Sequence, residues 1–111
     1  MEEFIEMICN KENIELFSLE GFERLGKGFA MRDDNIKSIG YSPKLEGWEK
    51  IHLIAHELGH HVLGHLDSSV HAFDNMSNSN SPQRERNERE AQVFAVVFTA
   101  MAMFSKYSEI L

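Results

Sequence analysis

The spacing of apolar side chains changes along this chain, and each change marks a predicted element. Residues 2 to 10 place Phe4, Ile5, Met7 and Ile8 among acids, which predicts a short amphipathic helix ending near Asn10. A period of two follows. Ile14 and Leu16 alternate with Glu15 and Phe17, Phe29 and Met31 alternate with Ala30 and Arg32, and Ile39 and Tyr41 share a face. Gly26, Gly28 and the run Asp33-Asp34-Asn35 punctuate these segments as turns. The pattern predicts two or three short antiparallel strands, the last two forming a hairpin.

Ser42-Pro43 closes the strand region. From about Leu45 to His65 the spacing becomes helical, with Trp48, Ile51, Ala55, Leu58 and Val62 recurring at intervals of three and four and Gly64 near the end. Residues 67 to 83 are rich in Ser and Asn and read as a long surface loop. Ser81-Pro82 reads as a helix cap followed by proline at the first helical position, opening a second long helix to about Phe104. The fold class expected is α+β. A small antiparallel sheet would pack with an N-terminal helix and two longer helices, in one domain spanning residues 1–111.

Composition narrows the function classes. The net charge is -7 and no basic stripe stands out, so direct nucleic-acid binding is not expected. The longest apolar run, Ala91 to Phe104, is too short to span a bilayer and carries Gln92 and Thr99, so no membrane association is expected. The opening MEEFIEM is acidic, unlike a secretory signal, and the expected location is the cytoplasm. The lone cysteine, Cys9, leaves neither an intramolecular disulfide nor a thiolate cluster for metal, and reads as a small core residue.

The chemistry is concentrated in Ala55-His56-Glu57-Leu58-Gly59-His60, which contains H-E-x-x-H within the first long helix. Positions i and i+4 lie on one helical face about a turn apart, so the His56 and His60 imidazoles can grip one ion from the same side. Zinc takes neutral imidazole nitrogen and favours four ligands. Glu57 follows His56 directly and cannot share its ligand position. It can take a proton from a metal-held water, which then attacks a peptide carbonyl. Gly59 lets another group approach closely.

A catalytic zinc needs a third protein ligand and an open position. On a continuous helix His65 would lie about 180° from His56, and His61 points away from His60. His52, His61 and His65 are therefore expected to be structural or solvent-facing. Glu88 on the second long helix shares a face with Ala91 and Ala95, whose small side chains allow close packing. Glu85, one turn earlier, is the other geometric candidate. Glu90 lies about 200° from Glu88, so both cannot serve. For the donor that would face a developing oxyanion, His71, Arg84, Arg86 and Tyr41 all remain candidates.

The helix IAHELGHHVLGH resembles the active-site helix of the ImmA/IrrE-type metallopeptidases. In that family a second helix reads roughly E-x-x-A-x-x-F-A, and Glu88, Ala91, Phe94 and Ala95 match it in order. The stretch KGFAMRDDNIKSIGYSP is similar in style. The resemblance implies a minimal zincin-like fold and a gluzincin-like zinc endopeptidase. It implies one zinc ion held by His56, His60 and Glu88, with Glu57 as the general base. It also implies a protein or peptide substrate, a helix-turn-helix repressor being the expected one. The segment after Phe94 departs from the family, since AVVFTAMAMF lacks the usual Met-Pro ending. The competing expectation is a non-catalytic module that keeps this fold for partner binding or metal sensing.

Overall fold

The computed structural model describes residues 2–18, 20, 28–66, 73–75 and 82–110. Helix α1 (Glu2–Lys11) buries Ile5 and Cys9, four residues apart on one face. Asn13 adopts a left-handed φ of 59°, which asparagine tolerates, and turns the chain into strand β1 (Ile14–Ser18). Strands β2 (Gly28–Asp33) and β3 (Ile36–Tyr41) form the expected hairpin, with Asp33 opposite Ile36. Its two-residue turn is Asp34-Asn35, and Asp34 takes a φ of 57°, as such turns require. Ala30 and Ile39 face each other across the hairpin and are fully buried.

The α+β class is as expected, but the sheet is mixed. Its order is β1-β3-β2-β4, where β4 is Phe73–Asn75, and β1 runs parallel to β3. Nine residues separate Ser18 from Gly28, too many for a tight hairpin, so β1 is free to pair beyond its sequence neighbour. Strand β4 adds antiparallel to β2 from within the segment expected to be loop. Three residues are too few to show a period in the sequence. Gly26, the Ser81 cap and His71 lie outside the described residues.

Helix α2 (Gly47–Val62) runs through the centre, between the sheet and helix α3 (Pro82–Ile110). Every residue from Leu53 to His61 is buried, the mark of a helix covered on both sides. Trp48 and Val62, expected on the core face, are exposed. The helix also ends three residues before His65, which bears on the site below. Ile54, Ala55 and Leu58 of α2 join Ile5, Ile14, Ile39 and Ala95 in one core. On α3 the inward row is Arg84, Glu88, Ala91, Ala95, Phe98 and Ala102, alternating steps of four and three along one face. Among the described residues, no helix is long and apolar enough to cross a membrane.

Candidate metal centre

The buried middle of α2 carries His56, Glu57, His60 and His61, all less than a tenth exposed. Four ionisable side chains in a core are costly unless each finds a partner. For the two imidazoles of the H-E-x-x-H motif the partner comes from α3. Glu88 places Oε2 2.9 Å from His56 Nε2 and Oε1 3.2 Å from His60 Nε2. One ligand atom from each of the three residues can be chosen so that all lie within 4.8 Å of one another.

That donor set suits a zinc-like ion. Ligands held at about 2.0–2.1 Å around a tetrahedral centre sit roughly 3.3 Å from each other. The two nitrogen–oxygen separations, 2.9 and 3.2 Å, are close to that spacing. Two imidazoles and one carboxylate also leave a tetrahedral position open. Glu57, next to His56 in the chain, is 1% exposed. Glu85 is exposed on the first turn of α3 and is not part of the group.

Close packing of the helices brings Glu88 in. Gly59 sits against Phe94, and a β-carbon built on Gly59 would lie 3.0 Å from Phe94 Cδ1 and 3.2 Å from its Cβ and Cγ. No residue with a side chain fits at that distance without movement. Ala91 and Ala95, both fully buried, extend the same close contact along α3. Arg84, one turn before Glu88, brings its Nη2 to 3.5 Å from Glu88 Oε1. Of the other candidate donors, Arg86 is exposed and Tyr41 lies half-buried beneath Lys50, whose Nζ is 5.0 Å above its ring.

Two histidines expected to be structural or solvent-facing hold defined places. His61 is buried, and its Nε2–H donates to the Ser38 carbonyl of β3 at 2.8 Å, tying α2 to the sheet. Burial pushes its imidazole below the ordinary histidine value, against the opposing pull of that carbonyl. His65 lies against His60 instead of across the helix from the ligand pair. Its Nδ1 is 2.9 Å from His60 Nδ1, and its Nε2 is 3.0 Å from Glu90 Oε1. The expectation failed because it carried helical rotation past Val62, where the helix stops. Gly64 was the signal that could have revealed this. His52 is half-buried and outside the three-residue group.

A central helix bearing two buried imidazoles one turn apart, met by a carboxylate from a second helix, forms a three-residue group placed to hold a metal ion. The chain matches the peptidase family described as the IrrE N-terminal-like domain over residues 9–104, and it belongs to that family. No significant match is found among curated proteins or among solved structures.

Proposed function

We propose that this chain is a zinc-dependent endopeptidase acting on a protein substrate of repressor type. The observation that carries the reading is the convergence of His56, His60 and Glu88 from two helices onto one point. Family membership supports it, because the matched family is one of metallopeptidases. His56, His60 and Glu88 would hold the ion. Zinc, when bound, supplies Lewis acidity that brings the pKa of a coordinated water toward neutrality.

The protein's own groups do the rest. Glu57 is the general base that takes the proton of the attacking water, and it returns that proton to the departing amine. Its 1% exposure keeps bulk solvent from competing for the proton. Ala91, Ala95 and Gly59 hold the helices close enough for Glu88 to meet both imidazoles. An extended substrate could add to the sheet through a free edge, and β1 and β4 are its edge strands.

Glu57→Gln tests the proposal. The variant should bind one zinc with affinity close to wild type and lose cleavage by at least about 10²-fold. Cleavage that survives unchanged would remove Glu57 as base. Function that survives without any cleavage would favour the non-catalytic module.

A further inference from the structure

His60 has two ring nitrogens, and only one faces Glu88. The other leads outward through an unbroken chain of contacts: His60 Nδ1 to His65 Nδ1 at 2.9 Å, and His65 Nε2 to Glu90 Oε1 at 3.0 Å. Backbone geometry builds this chain. The carbonyls at the end of α2 accept from the turn beyond it, His61 O from Gly64 N at 3.3 Å and His60 O from His65 N at 3.0 Å. Gly64 takes a left-handed φ of 77° between them. This is a Schellman turn, in which the second residue beyond the cap folds back over the third residue from the helix end. An apolar pair usually occupies those two positions. In this chain both are histidines.

The terminal carboxylate gives the chain a direction. Ionised Glu90 only accepts hydrogen bonds, so His65 Nε2 carries the hydrogen and donates. Neutral His65 then has a bare Nδ1, which accepts from His60 Nδ1–H. Neutral His60 in turn has its lone pair on Nε2, the nitrogen 3.2 Å from Glu88 Oε1. Two lone-pair-bearing atoms at that separation repel unless a cation lies between them, which is what a metal ligand pair requires.

We propose that His65 and Glu90 are positioning residues. They hold the His60 proton on Nδ1 and so present Nε2 as a metal ligand in a fixed orientation. The inference rests on the metal-site reading above and extends it to two residues outside the ligand set. His65 is well placed for the part, with only 7% of its side chain exposed, whereas Glu90 is half exposed at the outer end. A carboxylate–histidine chain behind a ligating imidazole raises its basicity and fixes its ring.

The test uses zinc affinity by chelator competition on the full chain, and the His60 tautomer by long-range proton–nitrogen NMR on zinc-free Glu88→Ala, which lacks the carboxylate facing Nε2, in weakly alkaline buffer. His65→Ala should weaken zinc binding about 10–100-fold. Glu90→Ala should weaken it less, since the outer link is solvated. His65→Asn should recover much of the loss, because its amide oxygen can accept from His60 Nδ1–H. In zinc-free Glu88→Ala His60 should carry its proton on Nδ1, and in Glu88→Ala with His65→Ala that preference should fade. The relay is overturned if His65→Ala binds zinc within about twofold of wild type while Glu88→Ala loses it. A His60 protonated on Nε2 in zinc-free Glu88→Ala overturns it as well. If wild type itself binds no zinc, the metal reading fails separately, and the tautomer still decides the relay.

Discussion

Replacing Gly59 by alanine should weaken metal binding as well as the fold. The added methyl carbon would stand 3.0 Å from Phe94 Cδ1 and 3.2 Å from Phe94 Cβ and Cγ. Carbon atoms pack best at about 3.5–4.0 Å. The ring can rotate away from the first contact, but Phe94 Cβ is fixed to the α3 backbone, so α3 itself must move by about 0.3 Å or more. Glu88 lies on that helix six residues before Phe94 and moves with it. Metal-ligand distances tolerate only about 0.2 Å. Overpacking costs about 1–3 kcal/mol, and the gain in helix propensity from glycine to alanine returns about 1. The zinc-free fold should therefore lose no more than about 2 kcal/mol. Zinc affinity should fall about tenfold or more, corresponding to about 1.4 kcal/mol. Chelator competition reads the affinity and urea unfolding in chelator reads the stability. Phe94→Ala in the same background removes two of the three close contacts and should restore part of the affinity. Wild-type zinc affinity in Gly59→Ala would refute the view that this contact sets the position of Glu88.

Two further predictions concern other buried groups. His61→Phe leaves the Ser38 carbonyl without its donor at 2.8 Å and should cost about 1–3 kcal/mol in urea unfolding; an unchanged midpoint would show that the α2–β3 tie is dispensable. Cys9, whose thiol is raised by burial and by the nearby Glu6 carboxylate from 9.0 to about 11, should resist alkylation in the folded protein and react readily in urea. Because the folded value is the higher one, the linked stability is intact below pH 9.0 and lost as pH rises through about 11. Equal alkylation rates in native and denatured protein would contradict the burial of Cys9.

The parts of the site legible in the sequence were those that obey one local period. His56 and His60 share a face because the helix continues unbroken between them, and Glu88 shares a face with Ala91 and Ala95 for the same reason. The hairpin could be read from Asp34-Asn35, since a left-handed turn residue leaves a compositional trace. What escaped depends on chain direction in space. Strand β1 joins β3 in parallel, and β4 pairs with β2 across a long sequence gap, and neither is recorded in a local pattern. His65 was misplaced by a related error. One left-handed residue, Gly64, ends the regular rotation and returns the next side chain to the ligand pair.

The polar contents of α2 bear on why this helix is built as it is. Between Leu53 and His61 it is buried throughout, yet it carries three imidazoles and a carboxylate. Apolar residues of similar volume would hold the same helix at least as well, since buried polar groups at best recover their desolvation cost. His56 and His60 share the Glu88 carboxylate of α3, His60 also meets His65 in the turn beyond its own helix, and His61 reaches the sheet. Stability alone would not call for two buried imidazoles turned toward one carboxylate. Holding two ring nitrogens at one point beside Glu88 does call for it, and His60 is also held from its far side by His65. The surroundings of α2 therefore support the metal-site reading independently of the H-E-x-x-H spacing.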